Sequence, residues 1–177
     1  LKVAQQLADR YPDAQIFLDL HGASEETALT ASEAMAHVVR SFNPTAQVPE
    51  SEAELKAMYL SALHGKRVLL LMDNAPGREQ AAPLVPPDGC VLLVTSRRHF
   101  ALPGLFAMDL DKMAPGDACE LLLAIAPSIG DEAEEIARLC GYLPMAMRTV
   151  GSALAERPDL SPSGYVKRLA GVEDRLK

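Results

Sequence analysis

The sequence predicts an α/β fold, with a parallel sheet in residues 1–113 and a small all-helical part in residues 114–177. Three observations support this prediction. Up to about Met113, short apolar runs of strand length alternate with amphipathic segments, an order that is typical of a parallel sheet. Beyond Pro115, the pattern contains helical segments alone. Hydrophobic residues make up 49% of the 177 residues, which suits a globular domain with an appended bundle.

Four apolar runs have the length and the flanking turn residues of β-strands. The run that begins at Val68 is apolar on both faces, so we expect it to be a central strand of a covered sheet. The four predicted strands are Ile16–Leu20, Val68–Asp73, Cys90–Thr95 and Phe106–Leu110.

Helices are predicted from the spacing of apolar residues and from start and stop signals. Ser51 and Glu54 have the spacing of a reciprocal capping box, and Asp131 with Glu134 repeats that spacing. Gly65 is expected to end a helix in the left-handed conformation. The predicted helices are Leu1–Arg10, Thr27–Phe42, Ser51–His64, Arg78–Leu84, Pro115–Ala126, Asp131–Leu139, Pro144–Glu156 and Ser161–Leu169.

Composition and charge argue against several classes of function. Lys and Arg number 17 against 24 Asp and Glu, a net charge of −7, so direct nucleic-acid binding by this segment is not expected. No apolar run approaches the roughly 20 residues that a membrane-spanning helix needs. Cys90, Cys119 and Cys140 lie far apart and form no C-x-x-C pair. This spacing argues against a metal site and predicts reduced thiols in a cytoplasmic protein.

The strongest candidate for chemistry is Asp73, which follows the apolar strand residues Leu69–Met72. Ligands of open α/β sheets bind beyond the carboxyl ends of the strands. A carboxylate at that place can hold Mg²⁺ through water, because Mg²⁺ gives up its hydration shell reluctantly. This is the Walker-B arrangement of nucleotide-hydrolysing enzymes. The alternative is an acid that caps the turn after the strand, since many α/β strands end in Asp.

Asn74 occupies the position at which many NTPases carry an acid that polarises the attacking water. An amide can orient a water molecule but cannot accept its proton at neutral pH. Asp73 and Asn74 are therefore the candidate catalytic residues, and any hydrolysis is expected to be slow.

The end of the next predicted strand carries Thr95, Ser96 and Arg97. Hydroxyl groups and a guanidinium at a strand end can contact a γ-phosphate, because Arg forms forked hydrogen bonds with phosphate oxygens. A solvated basic turn explains the same residues equally well. Further along the chain, Gly141 followed by Pro144 is explained by the end of one helix and the start of another.

Taken in order, these segments resemble the NB-ARC family of signalling P-loop NTPases. This family of the STAND class includes plant immune receptors, apoptotic scaffold proteins and bacterial regulators. Five motifs carry the resemblance over nearly the whole chain. They are an F-x-D-L-x-G motif at Phe17–Gly22, a Walker-B strand at Arg67–Ala75, a sensor strand at Val91–Arg97, the block Met108–Leu110 with Ala114–Leu123, and a G-L-P-L-A-like motif at Gly141–Ala146.

The resemblance implies a P-loop NTPase-like sheet with an ARC1-like helical subdomain, and ADP or ATP with Mg²⁺ bound at their junction. It implies that Asp73 lies near Mg²⁺, that Arg97 lies near the terminal phosphate, and that Pro144 packs near the adenine or its phosphates. The candidate nucleotide-binding residues are therefore Thr95, Ser96, Arg97, Gly141 and Pro144.

One part of the family pattern is absent from the sequence: the G-x-x-x-x-G-K-[ST] phosphate loop and the strand before it. In the family, this strand lies between the strands that begin here at Val68 and Val91. We expect these residues either to precede Leu1 in a longer polypeptide or to leave a gap in the sheet. Without the loop, residues 1–177 are expected to bind ATP or ADP weakly or not at all. The family's winged-helix portion would begin near Lys177.

Two functions from different classes remain open. The first is a switch that binds ATP or ADP, hydrolyses ATP slowly in the intact protein, and changes its assembly or its protein partners through domains outside this segment. The second is a non-catalytic interaction module that keeps the fold without nucleotide. The residues immediately upstream would distinguish the two functions, because only the switch needs the phosphate loop.

Overall fold

The computed structural model describes residues 2–22, 28–157 and 159–173 of the chain. Contacts between residues divide the chain into two compact units, Leu1–Ala107 and Met108–Lys177. The strands that the structure describes all lie in the first unit, and the described secondary structure of the second unit is helical. The division between the units comes shortly before the boundary predicted after Met113.

A three-stranded parallel sheet forms the centre of the first unit, in the order β1-β2-β3. Leu70 on the middle strand lies opposite Ile16 on one side and Leu92 on the other. The predicted α/β fold with a parallel sheet and a central Val68 strand is confirmed. The strands are β1 (Ala14–Asp19), β2 (Val68–Ala75) and β3 (Val91–Ser96).

The helices of the first unit precede β1 or connect the strands. Two 3₁₀ turns, Ala8–Arg10 and Ala82–Leu84, extend α1 and α4 and give both segments their predicted lengths over the described residues. Gly65, just after α3, has φ +70°, the left-handed conformation predicted for it. The helices are α1 (Lys2–Leu7), α2 (Ala31–Phe42), α3 (Glu52–Leu63) and α4 (Arg78–Ala81).

One face of the sheet packs against α2 and α3 and forms the core of the first unit. Leu70 and Met72 point to this face, because successive strand side chains alternate, and both are fully buried. Tyr59 on α3 is also fully buried, and its hydroxyl donates a hydrogen bond to the carbonyl oxygen of Leu84 at 2.6 Å. Burial raises the pKa of Tyr59, so the phenol keeps the proton that it donates. The aromatic ring thus enters the core without leaving an unpaired hydroxyl.

The opposite face of the sheet is covered less completely. Leu69 and Leu71 on β2 are buried, whereas the Phe17 side chain on β1 is 51% exposed. Ala4 and Ala8 line an apolar groove between the α1 segment and these strands. The middle strand is therefore buried on both faces, as predicted, while its neighbour β1 exposes one face to solvent.

The second unit packs its helices around an apolar core whose fully buried members include Leu122, Ile136 and Met147. Pro115 and Pro144 each stand at the first position of a helix, where the missing N–H costs nothing. In the described residues the helices are α5 (Pro115–Ile125), α6 (Ala133–Leu139), α7 (Pro144–Glu156) and α8 (Pro162–Glu173). The predicted bounds of α7 are confirmed, and α8 runs beyond its predicted end.

The start of α2 differs from the prediction. The predicted start, Thr27, lies outside the described residues, and the helix begins at Ala31. Thr30 and Glu33 form a reciprocal capping box that the sequence analysis did not identify. Glu33 N donates to Thr30 Oγ1 at 3.1 Å, and Thr30 N donates to Glu33 Oε2 at 2.7 Å. These two bonds satisfy backbone donors that have no partner inside the helix.

Two predicted caps also differ from the structure. Ser51 Oγ accepts a hydrogen bond from Glu54 N at 3.5 Å, but the reciprocal bond to the Glu54 carboxylate is not formed. Asp131 does not cap α6, because it lies inside a 3₁₀ segment, Pro127–Glu132, that runs directly into the helix at Ala133. The chain is already turning helically at Asp131, so the extended backbone of a cap residue is not available there.

The strand predicted over Phe106–Leu110 is wrong. The structure gives these residues no regular secondary structure, and the exposed fractions of Phe106, Met108 and Leu110 are 83%, 70% and 89%. A strand requires a neighbouring backbone to complete its hydrogen bonds. No described strand pairs with this segment. Apolar alternation alone therefore did not determine its structure.

The strand order also differs from the one that the family resemblance implied. That order placed another strand between the Val68 and Val91 strands. The structure pairs β2 directly with β3, with Leu69 opposite Val91 and Leu71 opposite Leu93. Among the described strands, therefore, none lies between β2 and β3.

Candidate functional site

The carboxyl ends of β2 and β3 lie side by side and carry the candidate residues of the first unit. The register between the two strands shifts after Met72, so that Asp73 and Asn74 of β2 lie opposite Thr95 of β3. This is the geometry of a β-bulge, which bends a strand, re-aims its side chains and is frequent beside active sites. Arg97 comes directly after β3. The structure therefore brings these four residues to one edge of the sheet.

The Thr95 hydroxyl contacts both residues of the bulge. It donates a hydrogen bond to Asp73 Oδ1 and accepts one from the backbone N–H of Asn74 at 2.9 Å. An unpaired backbone donor is costly when water is excluded from it, and the extra residue of a bulge loses its place in the ladder. A single side chain thus supplies the partner for the Asn74 N–H and fixes the Asp73 carboxylate.

Asn74 adopts the left-handed conformation, with φ +61°. Few residues other than Gly do so, and Asn is among those that tolerate this region best. Its carbonyl oxygen accepts a hydrogen bond from Gly22 N at 2.8 Å, just beyond the end of β1. A Cβ at Gly22 would lie 2.2 Å from that oxygen and 2.5 Å from Pro76 N. The absence of a side chain at Gly22 therefore lets the chain after β1 pack directly on the bulge.

A second carboxylate, that of Asp19, belongs to the same edge. Asp19 is the register partner of Asp73 on the neighbouring strand. Its Oδ1 accepts a hydrogen bond from His21 N at 2.8 Å, and its Oδ2 lies 3.5 Å from His21 Nδ1. His21, like Asn74, has a positive φ, +54°. Sequence reasoning assigned no role to Asp19 or Gly22, although both stand in the F-x-D-L-x-G motif, whose glycine was the available signal.

Ser96 and Arg97 differ in their surroundings. The Ser96 hydroxyl donates a hydrogen bond to the carbonyl oxygen of Ala75 at 2.8 Å and accepts one from Arg98 N at 3.0 Å. Ser96 therefore closes the turn that follows β3. Arg97 is exposed, so its guanidinium is accessible to solvent and to an approaching anion.

Gly141 and Pro144 lie in the second unit, where they end one helix and begin the next. Gly141 and Tyr142 have φ of +60° and +56°, and Tyr142 N donates a hydrogen bond to Ala137 O at 3.0 Å. Tyr142 O in turn accepts one from Met113 N at 3.1 Å. Pro144 is exposed at the first position of α7. The helix stop and start that the sequence predicted at these residues are present.

The donor set at the carboxyl edge suits a cation that takes most of its ligands from elsewhere. No group of three or more His, Cys, Asp or Glu side chains among the described residues could hold a metal ion. Mg²⁺ is commonly held by one or two carboxylates, with phosphates and water completing its shell. Asp73 fits this pattern, because Thr95 occupies Oδ1 while Oδ2 accepts no hydrogen bond from a described residue.

The structure also describes two features discussed in the sequence analysis, namely the absence of a membrane-spanning helix among the described residues and the state of the cysteines. Among the described helices, none is long and apolar enough to cross a membrane. Cys90 and Cys119 are half-buried and Cys140 is buried, and all three are free thiols. Burial raises the pKa of the Cys140 thiol, which keeps it protonated and unreactive.

Comparison with known proteins relates the chain to bacterial regulators. No protein-family model matches it. A protein of Streptomyces griseus named regulatory protein AfsR is 36% identical over 98% of this chain and 19% of its own length. The regulatory protein AfsR of Streptomyces coelicolor is 36% identical over 98% of this chain and 18% of its own length. The chain thus spans about a fifth of the length of these curated relatives, and it is similar to one segment of each of these two regulatory proteins.

Proposed function

We propose that the chain is part of an ATP- or ADP-binding switch, of the NB-ARC kind, in a cytoplasmic regulatory protein. The observation that carries this proposal is the Asp73 carboxylate at the carboxyl end of the central strand, oriented by Thr95. Parallel α/β sheets bind ligands beyond this edge. The similarity to two proteins named as regulators supports a regulatory role.

Within the proposed site, Asp73 would hold Mg²⁺ through water, and the ion would neutralise the phosphates of the nucleotide. Arg97, which is exposed and directly follows β3, would bind the terminal phosphate, because its planar guanidinium matches phosphate oxygens. By the family resemblance, Gly141 and Pro144 are proposed as further nucleotide-binding residues. The phosphate loop that supplies most of the phosphate affinity would come from residues outside this chain.

A nucleotide switch acts by having different contacts in its ATP and ADP states. We expect those differences to alter self-assembly or the binding of protein partners through domains outside this segment. The relatives are about five times as long as this chain, which leaves room for such domains. The net charge of −7 gives no reason to expect this segment to bind nucleic acid.

The nucleotide site is tested by thermal melts with and without Mg-ADP. A longer polypeptide that includes an upstream phosphate loop should gain roughly 2.7 kcal/mol at a ligand concentration about 100 times its Kd. In a domain of roughly 150–250 residues, a gain of that size raises Tm by several degrees. The same polypeptide with Asp73→Asn should gain less, because the Mg²⁺ ligand loses its charge. Residues 1–177 alone should show little or no shift.

Two outcomes would contradict this proposal. A clear upward shift for residues 1–177 would mean that the phosphate site lies elsewhere in this chain. The absence of any shift for the longer polypeptide would favour the non-catalytic interaction module. One observation supports that alternative: the large apolar side chains of Phe106, Met108 and Leu110, at alternate positions of one short segment, are all exposed.

Slow hydrolysis is tested at Asn74. In the longer polypeptide, Asn74→Asp should raise ATP turnover, because a carboxylate can accept a proton from water and a well-placed general base contributes roughly 10²–10⁴-fold. Asp also tolerates the left-handed backbone at this position. Steady-state phosphate release measures the change. Unchanged turnover would show that water is activated by another group or that another step limits the rate.

A further inference from the structure

The bulge at Asp73 and Asn74 is held from both sides. From the segment just after β1, Leu20 N donates a hydrogen bond to Asp73 O at 2.8 Å, and Gly22 N donates one to Asn74 O at 2.8 Å. From β3, the Thr95 hydroxyl contacts the Asp73 carboxylate and the Asn74 N–H. The backbone carbonyls are thus fixed by the segment that follows β1, whereas the Asp73 side chain is fixed only by Thr95 among the described residues.

The chemistry of a hydroxyl limits what Thr95 can do. A Thr hydroxyl has one proton to donate and two lone pairs that accept. Here the proton goes to Asp73 Oδ1, and one lone pair receives the Asn74 N–H. With the proton committed to a carboxylate, the hydroxyl has none left to donate to a phosphate oxygen. A bond to an ionised acceptor is also stronger than one between neutral groups, so this arrangement is the favoured one.

We propose that Thr95 is a positioning residue, whose hydroxyl holds the bulge and orients Asp73 so that Oδ2 faces the hydrated cation. This inference rests on the proposed function, and it replaces the direct phosphate contact that the sequence suggested for Thr95. Losing the hydroxyl frees the carboxylate to rotate and leaves the Asn74 N–H without its partner. The effect should therefore appear in the dependence of nucleotide binding on Mg²⁺ and not in nucleotide binding as such.

The test compares two affinities in the longer polypeptide that carries the phosphate loop. The Kd for ADP is measured by calorimetry with Mg²⁺ and again with EDTA. The Kd in EDTA divided by the Kd with Mg²⁺ gives a ratio that reports how much the cation strengthens binding. Thr95→Val should reduce this ratio about tenfold, the typical effect of one hydrogen bond to a charged group, while the Kd in EDTA stays unchanged. Thr95→Ser keeps the hydroxyl and should restore the ratio.

A matched control is Thr149→Val. Thr149 on α7 donates its hydroxyl to Met145 O at 3.0 Å, on the exposed side of a helix in the second unit. The same substitution there should leave the ratio unchanged. Amide hydrogen exchange of the peptide containing Asn74 gives a second measurement, independent of nucleotide. Exchange at this peptide should accelerate in Thr95→Val and stay slow in Thr95→Ser.

The outcomes separate this inference from the function on which it rests. Equal weakening with and without Mg²⁺ would assign Thr95 to direct phosphate contact and overturn the positioning role. An unchanged ratio together with unchanged exchange would also overturn it, while the proposed function would stand. If the wild-type polypeptide binds no ADP in either condition, the proposed function fails, and the cation role of Thr95 fails with it.

Discussion

Two mainly apolar runs of equal length in this chain have different structures. Val68–Met72 forms the buried middle of β2, whereas Phe106–Leu110 has no regular secondary structure and exposes its large side chains. Both runs were predicted to be strands. The first has hydrogen-bonding neighbours on both sides, and the second has no described strand beside it.

The difference shows that an apolar run becomes a strand when its backbone and its side chains are satisfied together. Leu70 is paired with Ile16 and Leu92 through the ladders and is fully buried. Burying such a side chain contributes about 1.5–3 kcal/mol, which helps offset the cost of ordering the chain. A run without a neighbouring strand gains neither contribution, and the Phe106 side chain in such a run is exposed.

The largest expected effect tests this comparison directly. Leu70→Ala should lower the free energy of unfolding by about 2–5 kcal/mol, because it removes buried methyl groups and leaves a cavity. Phe106→Ala should change it by no more than about 0.5 kcal/mol, since the ring is 83% exposed. Urea-induced unfolding of both variants measures the difference. A comparable loss for Phe106→Ala would mean that the segment is packed against other residues in solution.

A smaller effect is expected where β1 ends against β2. Gly22→Ala would bring a Cβ within 2.2 Å of Asn74 O, and the neighbouring atoms are backbone and proline, which cannot easily move. We expect a loss of about 1–3 kcal/mol in the free energy of unfolding. Gly116→Ala is the matched control, because a Cβ there meets nothing within 4 Å and Ala favours the helix. Equal stabilities for the two variants would show that the Gly22 segment yields readily.

The smallest effect concerns the cap of α2, the helix that covers one face of β2. Hydrogen bonds from the Thr30 backbone and hydroxyl lower the pKa of Glu33 below its ordinary value of 4.5. Because the folded-state pKa is the lower one, the contribution to stability is present above the unfolded-state pKa and is lost as the pH falls through the folded-state value. Glu33→Gln should therefore flatten the pH dependence of Tm below about pH 5.

Glu54→Gln is the control for this pH profile. Glu54 has the same position in α3, but it does not form the reciprocal bond to Ser51. The substitution should change the profile less than Glu33→Gln does, because it removes no reciprocal capping bond. Identical profiles for Glu33→Gln and the wild type would show that ionisation of Glu33 makes no measurable contribution to stability.

Local signals predicted the elements whose ends are set by single residues. Pro144 at the first position and the apolar spacing behind it gave the bounds of α7, and Gly65 gave the end of α3, because their backbone preferences act without tertiary contacts. The α2 capping box was missed although its spacing is readable at Thr30 and Glu33, since the apolar face suggested an earlier start.

The candidate site was only partly predictable, because local patterns locate single residues but do not determine which distant residues meet. Strand-end patterns located Asp73 and Thr95, which the structure brings into contact. The bulge that joins them depends on the register between strands separated by many residues, and no local pattern encodes that register. The role of Gly22 likewise depends on the approach of β1 to the bulge, which only the assembled sheet determines.

The left-handed backbone of Asn74 limits which side chains can replace it. Gly relieves the strain, Asn and Asp tolerate it, and β-branched residues are strongly disfavoured. Glu, with its longer side chain, gains no local hydrogen bond to offset the strain, so it is a poorer choice here than Asp. Under the proposed nucleotide function, Asp is therefore the carboxylate residue that this backbone position accommodates most easily.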